Sequence, residues 1–388
     1  MVLALNLGFP RIGLKRELKK ALESYWKGDI SREDLLKTGK ELRLRHWQLQ
    51  KDAGISFIPT NDFSFYYHIL DTACLFGCIP ERYDLNDPDL YFSMARGSQK
   101  SGRDVIAMEM TKWFDTNYHY IVPELKKNQT FKLSTTKIFD ETKEAQDAGF
   151  DPYPVLIGPV SFLMLSKKEE DFDDCRCTLV SSLVEVYIEI CQKLLVQGVT
   201  WIQLDEPCLA LDLEDRYKAA YQAAYTQLRA AVPDIHIFVP TYFDGLQDNL
   251  DLAFSLPVDA IGVDLVRAPD QLDPCIKKAK ETNKFLIIGI VDGRNVWRND
   301  LSVSLIQLEK AKAVLGDSFG VSGSCSLLHT PIDLDAETKL DPELENWMAF
   351  SKQKLLEIAT LAKGAAHGRE AIKAELKESD KAAASKTT

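Results

Sequence analysis

Long apolar runs are missing from this sequence, since no stretch approaches the roughly 20 uninterrupted apolar residues that cross a bilayer. No membrane partner is therefore expected. The opening residues, MVLALNLGFPRIG, have neither a basic segment nor a small-residue cleavage site, and no secretory signal peptide is predicted. An excess of positive charge is also missing, because 47 Lys and Arg residues are outnumbered by 58 Asp and Glu residues and the 388 residues carry a formal net charge of −11. Nucleic acid is not an expected partner, although a local basic cluster can still hold a small anion.

Motifs of common cofactor sites are absent as well. No G-x-G-x-x-G follows the first predicted strand, and no P-loop, G-x-S-x-G or H-E-x-x-H occurs. The eight cysteines lie at 74, 78, 175, 177, 191, 208, 275 and 325. Cys325 and His329 are near each other in SCSLLHT, but nothing completes a tetrahedral set, so no metal ligand is predicted. In a chain of this length, cysteines within apolar runs favour reduced thiols and a cytoplasmic protein.

Ten short apolar segments are predicted to be strands. They are 3–8, 55–60, 91–96, 105–113, 154–159, 199–207, 236–242, 260–266, 285–293 and 319–327. Many are nearly continuous in apolar residues, which is typical of strands buried on both faces of a parallel sheet. Helical patterns lie between most of them, and this alternation predicts a parallel α/β fold.

One pair of segments breaks the alternation. Only eight residues, GSQKSGRD, separate 91–96 from 105–113, whereas a parallel crossover needs about a dozen. These two are predicted to pair as an antiparallel hairpin outside the parallel series. The other eight strands predict a (β/α)8 TIM barrel over residues 1–362 with this hairpin inserted, and a doubly wound open sheet is the alternative. Residues 363–388 are rich in alanine and charge, and they predict a helical linker within a longer protein.

Function in such a barrel lies at the C-terminal ends of the strands. The polar or reactive side chains there are Arg11, Asn61, Asp205, Glu206, Tyr242, Asp264, Arg267, Asp292, Arg294, Asn295, Cys325 and His329. Helix capping explains any one of them equally well, but the set together favours a site. Asp205 and Glu206 are adjacent, so at most one of them is expected to face the mouth of the barrel.

Two further segments have the composition of a ligand site. The string GLKRELKKALESYWKG places Lys15, Arg16, Lys19 and Lys20 in the first turns of a predicted helix. Cations are disfavoured there unless an anionic ligand docks, and a solvated basic face is the alternative. The string EMTKWFDTNYHYIVPEL, residues 109–125, gathers aromatic side chains around polar ones. That mixture suits a planar heterocycle, or else a hydrophobic cover on the barrel.

Six strings of the sequence resemble one family: LGFPRIGLKRELKKALESYWKG, EMTKWFDTNYHYIVPEL, VLIGPVSFLMLSK, WIQLDEP, VDGRNVW and SCSLLHT. They are similar to the N-terminal half of cobalamin-independent methionine synthases, over residue 3 to about 362. The resemblance implies two face-to-face barrels that move a methyl group from 5-methyltetrahydropteroyltri-L-glutamate to L-homocysteine in methionine biosynthesis. It also implies that the zinc ligands and most homocysteine contacts belong to a C-terminal catalytic barrel absent from this sequence.

The resemblance assigns folate contacts in this half to two runs. They fall on Arg16, Glu17, Leu18, Lys19, Lys112 and Asn117. No catalytic residue and no metal ligand is implied here, and Cys325 matches a position that holds a zinc cysteine in the duplicated barrel. The expected role is binding of the folate polyglutamate, with no activity of this half alone. The alternative is a purely structural scaffold that braces the catalytic barrel.

Overall fold

The computed structural model describes residues 2–99, 104–168 and 176–386. Its strands are β1 (Leu3–Ala4), β2 (Ile58–Thr60), β3 (Met110–Lys112), β4 (His119–Ile121), β5 (Glu124–Leu125), β6 (Pro152–Ile157), β7 (Lys167–Lys168), β8 (Trp201–Asp205), β9 (His236–Pro240), β10 (Ala260–Asp264), β11 (Phe285–Val291) and β12 (Phe319–Gly323). Its α-helices are α1 (Glu17–Lys27), α2 (Arg32–Asp52), α3 (His68–Leu75), α4 (Leu90–Arg96), α5 (Lys137–Asp147), α6 (Pro159–Leu165), α7 (Val180–Val196), α8 (Asp215–Ala231), α9 (Leu250–Ser255), α10 (Leu272–Thr282), α11 (Leu301–Leu315), α12 (Pro342–Asn346), α13 (Ser351–His367) and α14 (Lys373–Ser385).

Eight of these strands form one parallel sheet in the order β1-β12-β11-β10-β9-β8-β6-β2. Apart from the pairing of β1 with β12, neighbours in the sheet are successive strands of this series in the chain, as successive β/α units require. The two edge strands meet where the Ser56 N–H donates to the Ala4 carbonyl at 2.8 Å. The predicted TIM-barrel fold is confirmed, because each of the eight predicted barrel segments contains one strand of this sheet.

Burial on both faces explains the nearly continuous apolar strands. Every residue of β10 and of β12 is buried. Close strand packing at the centre of the sheet depends on Gly289, where an added Cβ would lie 2.6 Å from the Val263 carbonyl oxygen. Outside the sheet, helix α7 buries Leu183, Tyr187 and Leu194 on one face. Their helical spacing turns that apolar face toward the strands.

The predicted position of the inserted hairpin is wrong in one strand. Residues 91–96 lie in α4, and the antiparallel partner of β3 is β4, with Thr111 opposite Tyr120. The segment 105–113 therefore supplies only one strand of the hairpin. The error arose because six residues of YFSMAR are too few to distinguish a helical from a strand period. In the structure Met94 is fully buried against a small core beside the barrel.

The C-terminal helices pack against the barrel. Ile372 and Leu376 are buried, and the Leu301 N–H donates to the Ser379 hydroxyl at 3.0 Å. Helical structure thus continues through Ser385. That residues 363–388 lead to a further barrel remains a prediction.

Most cysteines within the described ranges are free. They are Cys74, Cys78, Cys191, Cys208, Cys275 and Cys325. Cys177 is disulfide-bonded, so the expectation of reduced thiols is wrong at that residue. Composition and apolar neighbours do not determine which sulfur atoms come within bonding distance. Across residues 2–99, 104–168 and 176–386, every helix is too short or too polar to cross a membrane.

Candidate ligand site at the barrel mouth

A small cavity lies at the C-terminal ends of the barrel strands. Its walls carry three carboxyl groups, from Asp62, Asp71 and Asp205, together with histidine and aromatic rings. The cavity volume is about 60 Å³, which holds a few water molecules. The polar mouth predicted from the strand ends is therefore present, but the cavity in this form is too small for a ring system.

Asp205 is the acidic residue of QLDEP that faces this cavity. Its Oδ2 accepts a 2.6 Å hydrogen bond from the Tyr242 hydroxyl, and its Oδ1 accepts one of 2.7 Å from Gln203. Burial raises the pKa of Asp205 to about 7. Burial also raises the pKa of Asp62, which accepts the Phe9 N–H, to about 7. Both carboxyl groups can hold or release a proton near neutral pH.

Glu206 points away from the cavity, as expected for the neighbour of Asp205. It is 0% exposed, and its carboxylate accepts the N–H of Ser161 at 2.8 Å in the first turn of α6. The hydroxyl groups of Tyr221 and Tyr225 donate to the same carboxylate at 3.0 and 2.9 Å. Glu206 thus caps a helix inside the protein and has no route to a ligand at the mouth.

The β3–β4 hairpin folds over the mouth of the barrel. The ring of Trp113 lies 4.6 Å from that of His68, and the ring of Tyr118 lies 6.0 Å from that of His329. Burial lowers the pKa of His68 to about 3 and that of His329 to about 4. Both imidazoles are therefore neutral at physiological pH, and the aromatic segment predicted to suit a heterocycle forms part of the cover over the cavity.

The basic run of the first helix is exposed on the same side of the barrel, since α1 follows the C-terminal end of β1. Arg16 is the residue before α1 and has a left-handed φ of 59°. Lys19 forms an exposed ion pair of 3.7 Å with Glu23. In the described part of the chain, Lys15, Arg16 and Lys20 have no ion-pair partner. These cations are available to an anion in solution.

Glu17 and Leu18 differ from their basic neighbours. The Glu17 carboxylate accepts the Lys15 N–H and the Arg45 guanidinium, both at 2.8 Å. It thereby places a negative charge at the start of α1, which the helix dipole favours. Leu18 is buried in a core of its own with Leu22 and other apolar residues. A ligand can therefore contact Leu18 only through its backbone.

Lys112 and Asn117 lie on either side of the hairpin turn, and both are exposed. Lys112 has no ion pair among the residues that the structure describes. Asn117 borders a cleft that it shares with Arg294 and His329. The structure thus places Asn117 at a cleft beside the mouth and Lys112 on the exposed surface of β3.

Sequence reasoning missed several residues of the cavity. Asp62 directly follows Asn61 at the end of β2, so its position at a strand end could have identified it. His68 and Asp71 lie on α3, whose sequence HILDTACL gives no signal of a site. Their place in the cavity depends on how α3 packs beneath the hairpin, which involves contacts distant in sequence.

Metal-ligand geometry is absent from the described residues, which contain no group of three His, Cys, Asp or Glu side chains able to hold an ion. Cys325 is buried, and an added Cβ on Gly293 would lie 2.9 Å from its sulfur. Burial raises the pKa of the Cys325 thiol well above its usual range. This cysteine therefore stays protonated at neutral pH.

Comparison with known proteins agrees with this architecture. The structure superposes on a putative vitamin-B12-independent methionine synthase from Listeria monocytogenes with a TM-score of 0.60 at 14% identity, covering 93% of this chain and 98% of the other. A methyltransferase from Methanosarcina mazei gives a TM-score of 0.58 at 9% identity, covering 93% of each chain. At these identities the similarity shows the fold alone.

Sequence relatives are much closer. A 5-methyltetrahydropteroyltriglutamate–homocysteine methyltransferase from Flavobacterium johnsoniae is 50% identical over 92% of this chain and 47% of its own length. An enzyme of the same name from Coxiella burnetii is 48% identical over 100% of this chain and 50% of its own length. This chain spans about half the length of the curated relatives it matches. The family described as cobalamin-independent synthase, N-terminal domain, matches residues 3–316. The chain therefore belongs to the cobalamin-independent methionine synthase family and corresponds to the N-terminal domain of its members.

Proposed function

We propose that this chain is the folate-binding half of a 5-methyltetrahydropteroyltriglutamate–homocysteine methyltransferase. The observation that carries the proposal is the set of exposed cations at the barrel mouth. Arg16 and Lys19 come from the loop and helix after β1, and Lys112 comes from the hairpin that covers the mouth. A folate triglutamate carries several carboxylates, and lysine and arginine bind these through charge-assisted hydrogen bonds.

The negative net charge of the chain makes these cations selective for small anions. At −11 overall, the protein repels large polyanions, so that a local basic cluster suits a small anionic ligand. Glu17 already occupies the N-terminus of α1, and ligand carboxylates must therefore bind the side chains of Arg16 and Lys19 instead. Each exposed charge pair contributes only about 0.2–1 kcal/mol, so several glutamates are needed for firm binding. Asn117 adds an uncharged amide that can donate to a carboxylate or to the pteridine ring.

The ring of the folate has a different location in this proposal. A cavity of about 60 Å³ does not admit a pteridine. We place the ring above the hairpin and the mouth, where a C-terminal catalytic barrel completes the site. That barrel is the proposed protein partner of this chain.

Methyl transfer itself is assigned to the absent half. Zinc expected in that half would lower the pKa of the homocysteine thiol, so that a nucleophilic thiolate would be present at neutral pH. The donor groups in the described part of this chain do not fit a zinc site. The role of this half is thus to bind and orient the folate tail, and we expect it to be inactive alone.

A scaffold that only braces the catalytic barrel is the second candidate. Apolar side chains on the mouth side favour it, because Ile12, Leu14 and Met110 are all exposed there. Bracing needs an apolar interface but no cations. The two functions therefore predict different responses to folate.

Isothermal titration of this chain with mono- and triglutamate forms of 5-methyltetrahydrofolate tests the proposal. Binding should be several-fold tighter for the triglutamate and should weaken as salt rises, because exposed charges are screened over about 10 Å at 0.1 M. Absence of binding by either form would favour the scaffold. Equal affinity for both forms would show that the cations do not bind the tail.

A further inference from the structure

The tip of the hairpin is held by one carboxylate between two arginines. Asp115 Oδ2 lies 2.7 Å from Arg267 Nη2, and its Oδ1 lies 2.9 Å from Arg294 Nη1. Arg294 Nη2 also donates to the Asp115 carbonyl at 3.1 Å. The two arginines come from the loops after β10 and β11. A single residue of the hairpin is thus bound to two separate units of the barrel.

Both arginines have contacts within the barrel besides those with Asp115. The Arg267 backbone N–H donates to Asp264 Oδ1 at 2.9 Å, and its side-chain Nε donates to the Phe243 carbonyl at 3.4 Å. The Arg294 guanidinium lies over the ring of Phe243 at 4.9 Å. A cation over an aromatic face is held by attraction to the ring. Asp115 therefore meets two donors that also contact Phe243 of the barrel.

The hairpin turn requires such outside support. Phe114 has a left-handed φ of 54°, which a bulky residue rarely adopts. Its ring packs against Phe243 at 5.6 Å, next to the Arg294 guanidinium. Inside the turn, the Trp113 N–H donates to the Tyr118 carbonyl at 2.8 Å. The turn has a defined shape, but that shape includes a residue whose conformation is unfavourable in isolation.

We propose that Asp115 is a positioning residue for ligand binding, which sets the hairpin over the mouth so that Lys112 and Asn117 face the ligand. This inference rests on the proposed folate function. Lys112 precedes Asp115 by three residues and Asn117 follows it by two, so both move with the turn. Neither forms an ion pair with the barrel in the described residues. The polar contacts of the tip are those of Asp115, and the Tyr118 hydroxyl adds a contact of 3.2 Å to His68 Nδ1 in the cavity below.

Two kinds of contact hold the hairpin, and they act at different places. Trp113 is only 2% exposed, so that its buried ring anchors the base of the turn. Asp115 and Arg267 are each about half exposed, and exposed ion pairs are individually weak. Loss of Asp115 should therefore loosen the tip without unfolding the hairpin. High salt should have a similar effect on the wild-type protein.

The test compares Asp115→Asn with Glu309→Gln in this chain. Glu309 is a matched control, because its carboxylate forms two 2.8 Å hydrogen bonds with Arg369 far from the mouth. Amide hydrogen exchange of residues 113–118 reports on the tip without any ligand. Titration with mono- and triglutamate folates reports on positioning, and Asp115→Glu tests rescue by a carboxylate.

In Asp115→Asn we expect exchange of residues 113–118 to be about three- to tenfold faster and the triglutamate dissociation constant to rise by a similar factor. The dissociation constant of the monoglutamate should change less. Asp115→Glu should recover part of both effects, and Glu309→Gln should have the exchange rates and affinities of the wild type. Unchanged exchange would overturn the inference, and so would faster exchange with unchanged triglutamate affinity. Failure of the wild-type chain to bind folate would instead refute the proposed function, and the exchange data would still show whether Asp115 fixes the tip.

Discussion

Gly158 and Glu206 are in such close contact that a Cβ on Gly158 would lie 2.2 Å from the carboxyl carbon of Glu206. Gly158 follows β6 and immediately precedes α6, whose first N–H groups donate to the Glu206 carboxylate. The contact joins two strings of the sequence, LIGPVS and QLDEP, across adjacent strands. A glycine is needed here for space and not for conformation, since its φ is −70°.

Gly158→Ala should destabilise the protein by about 1–3 kcal/mol, because Glu206 is fixed by four hydrogen bonds and cannot move aside. Urea unfolding gives the free energy of unfolding. Gly364→Ala is the matched control. Its new Cβ would lie 2.5 Å from Ile372 Cδ1 and 3.2 Å from Leu305 Cδ1, which are ends of side chains that can shift, and alanine favours the helix. An equal loss in both variants would mean that the contact with Glu206 is not the cause.

Glu206→Gln should flatten the dependence of stability on pH. Burial raises the pKa of Glu206 to about 7 from an ordinary 4.5, so the folded protein binds this proton more tightly than the unfolded chain. The resulting stabilisation is present below pH 4.5 and is lost as pH rises through 7. Between pH 5 and pH 8 the wild type should therefore lose about 1–3 kcal/mol more than Glu206→Gln.

The measurement is the difference between the unfolding free energies at the two pH values, from which any constant effect of the substitution cancels. Glu189→Gln, on an exposed position of α7, should keep the wild-type difference. Identical differences in Glu206→Gln and wild type would show that Glu206 remains ionised throughout this range.

The sequence predicted the barrel because its strands are buried on both faces. A run such as FLIIGIV leaves little choice of environment, and β11 lies where it was expected. Prediction failed at YFSMAR, which forms α4, since a short half-buried segment fits either period. The local pattern of apolar residues was sufficient to predict an element where its residues are uniformly buried, and it was insufficient where they are only partly buried.

The site was predictable only in part. Lys19 and Lys112 were predicted from charge and resemblance, and the structure shows both to be exposed, while their contact with folate stays a prediction. The bond between Asp115 and Arg267 joins residues 152 positions apart, and no local signal indicates it. His68 was missed for the same reason. Residues that act through long-range packing are visible only once the fold is known.

The chain alone should not form methionine from 5-methyltetrahydropteroyltri-L-glutamate and L-homocysteine, even with added zinc. The reason is the proposal above, in which the groups that activate the homocysteine thiol belong to a C-terminal catalytic barrel. Methionine release is measured under conditions in which the Coxiella burnetii relative serves as the positive control. Turnover by this chain above a metal-free blank would refute its assignment as a binding half.

Lys19→Ala should weaken binding of the folate triglutamate several-fold and leave the monoglutamate nearly unaffected. The expected cause is loss of one charge pair with a distal carboxylate, which the monoglutamate lacks. The loss should shrink as salt rises, because an exposed pair is screened. Helix α1 should persist, since alanine is the better helix former. Titration calorimetry of this chain, and of a two-barrel relative that carries the same substitution, measures both forms.

Lys193→Ala is the control for Lys19→Ala. Both lysines pair with a glutamate four residues away on a helix, and their side chains are 54% and 55% exposed. They differ in place, because Lys193 lies on α7 in the outer ring of helices and Lys19 lies beside the mouth. Only Lys19→Ala should therefore change triglutamate affinity. Equal losses for the mono- and triglutamate forms would mean that Lys19 acts on the pteridine end of the folate or on the stability of the chain. No loss for either form would mean that the basic run of α1 is a solvated basic face.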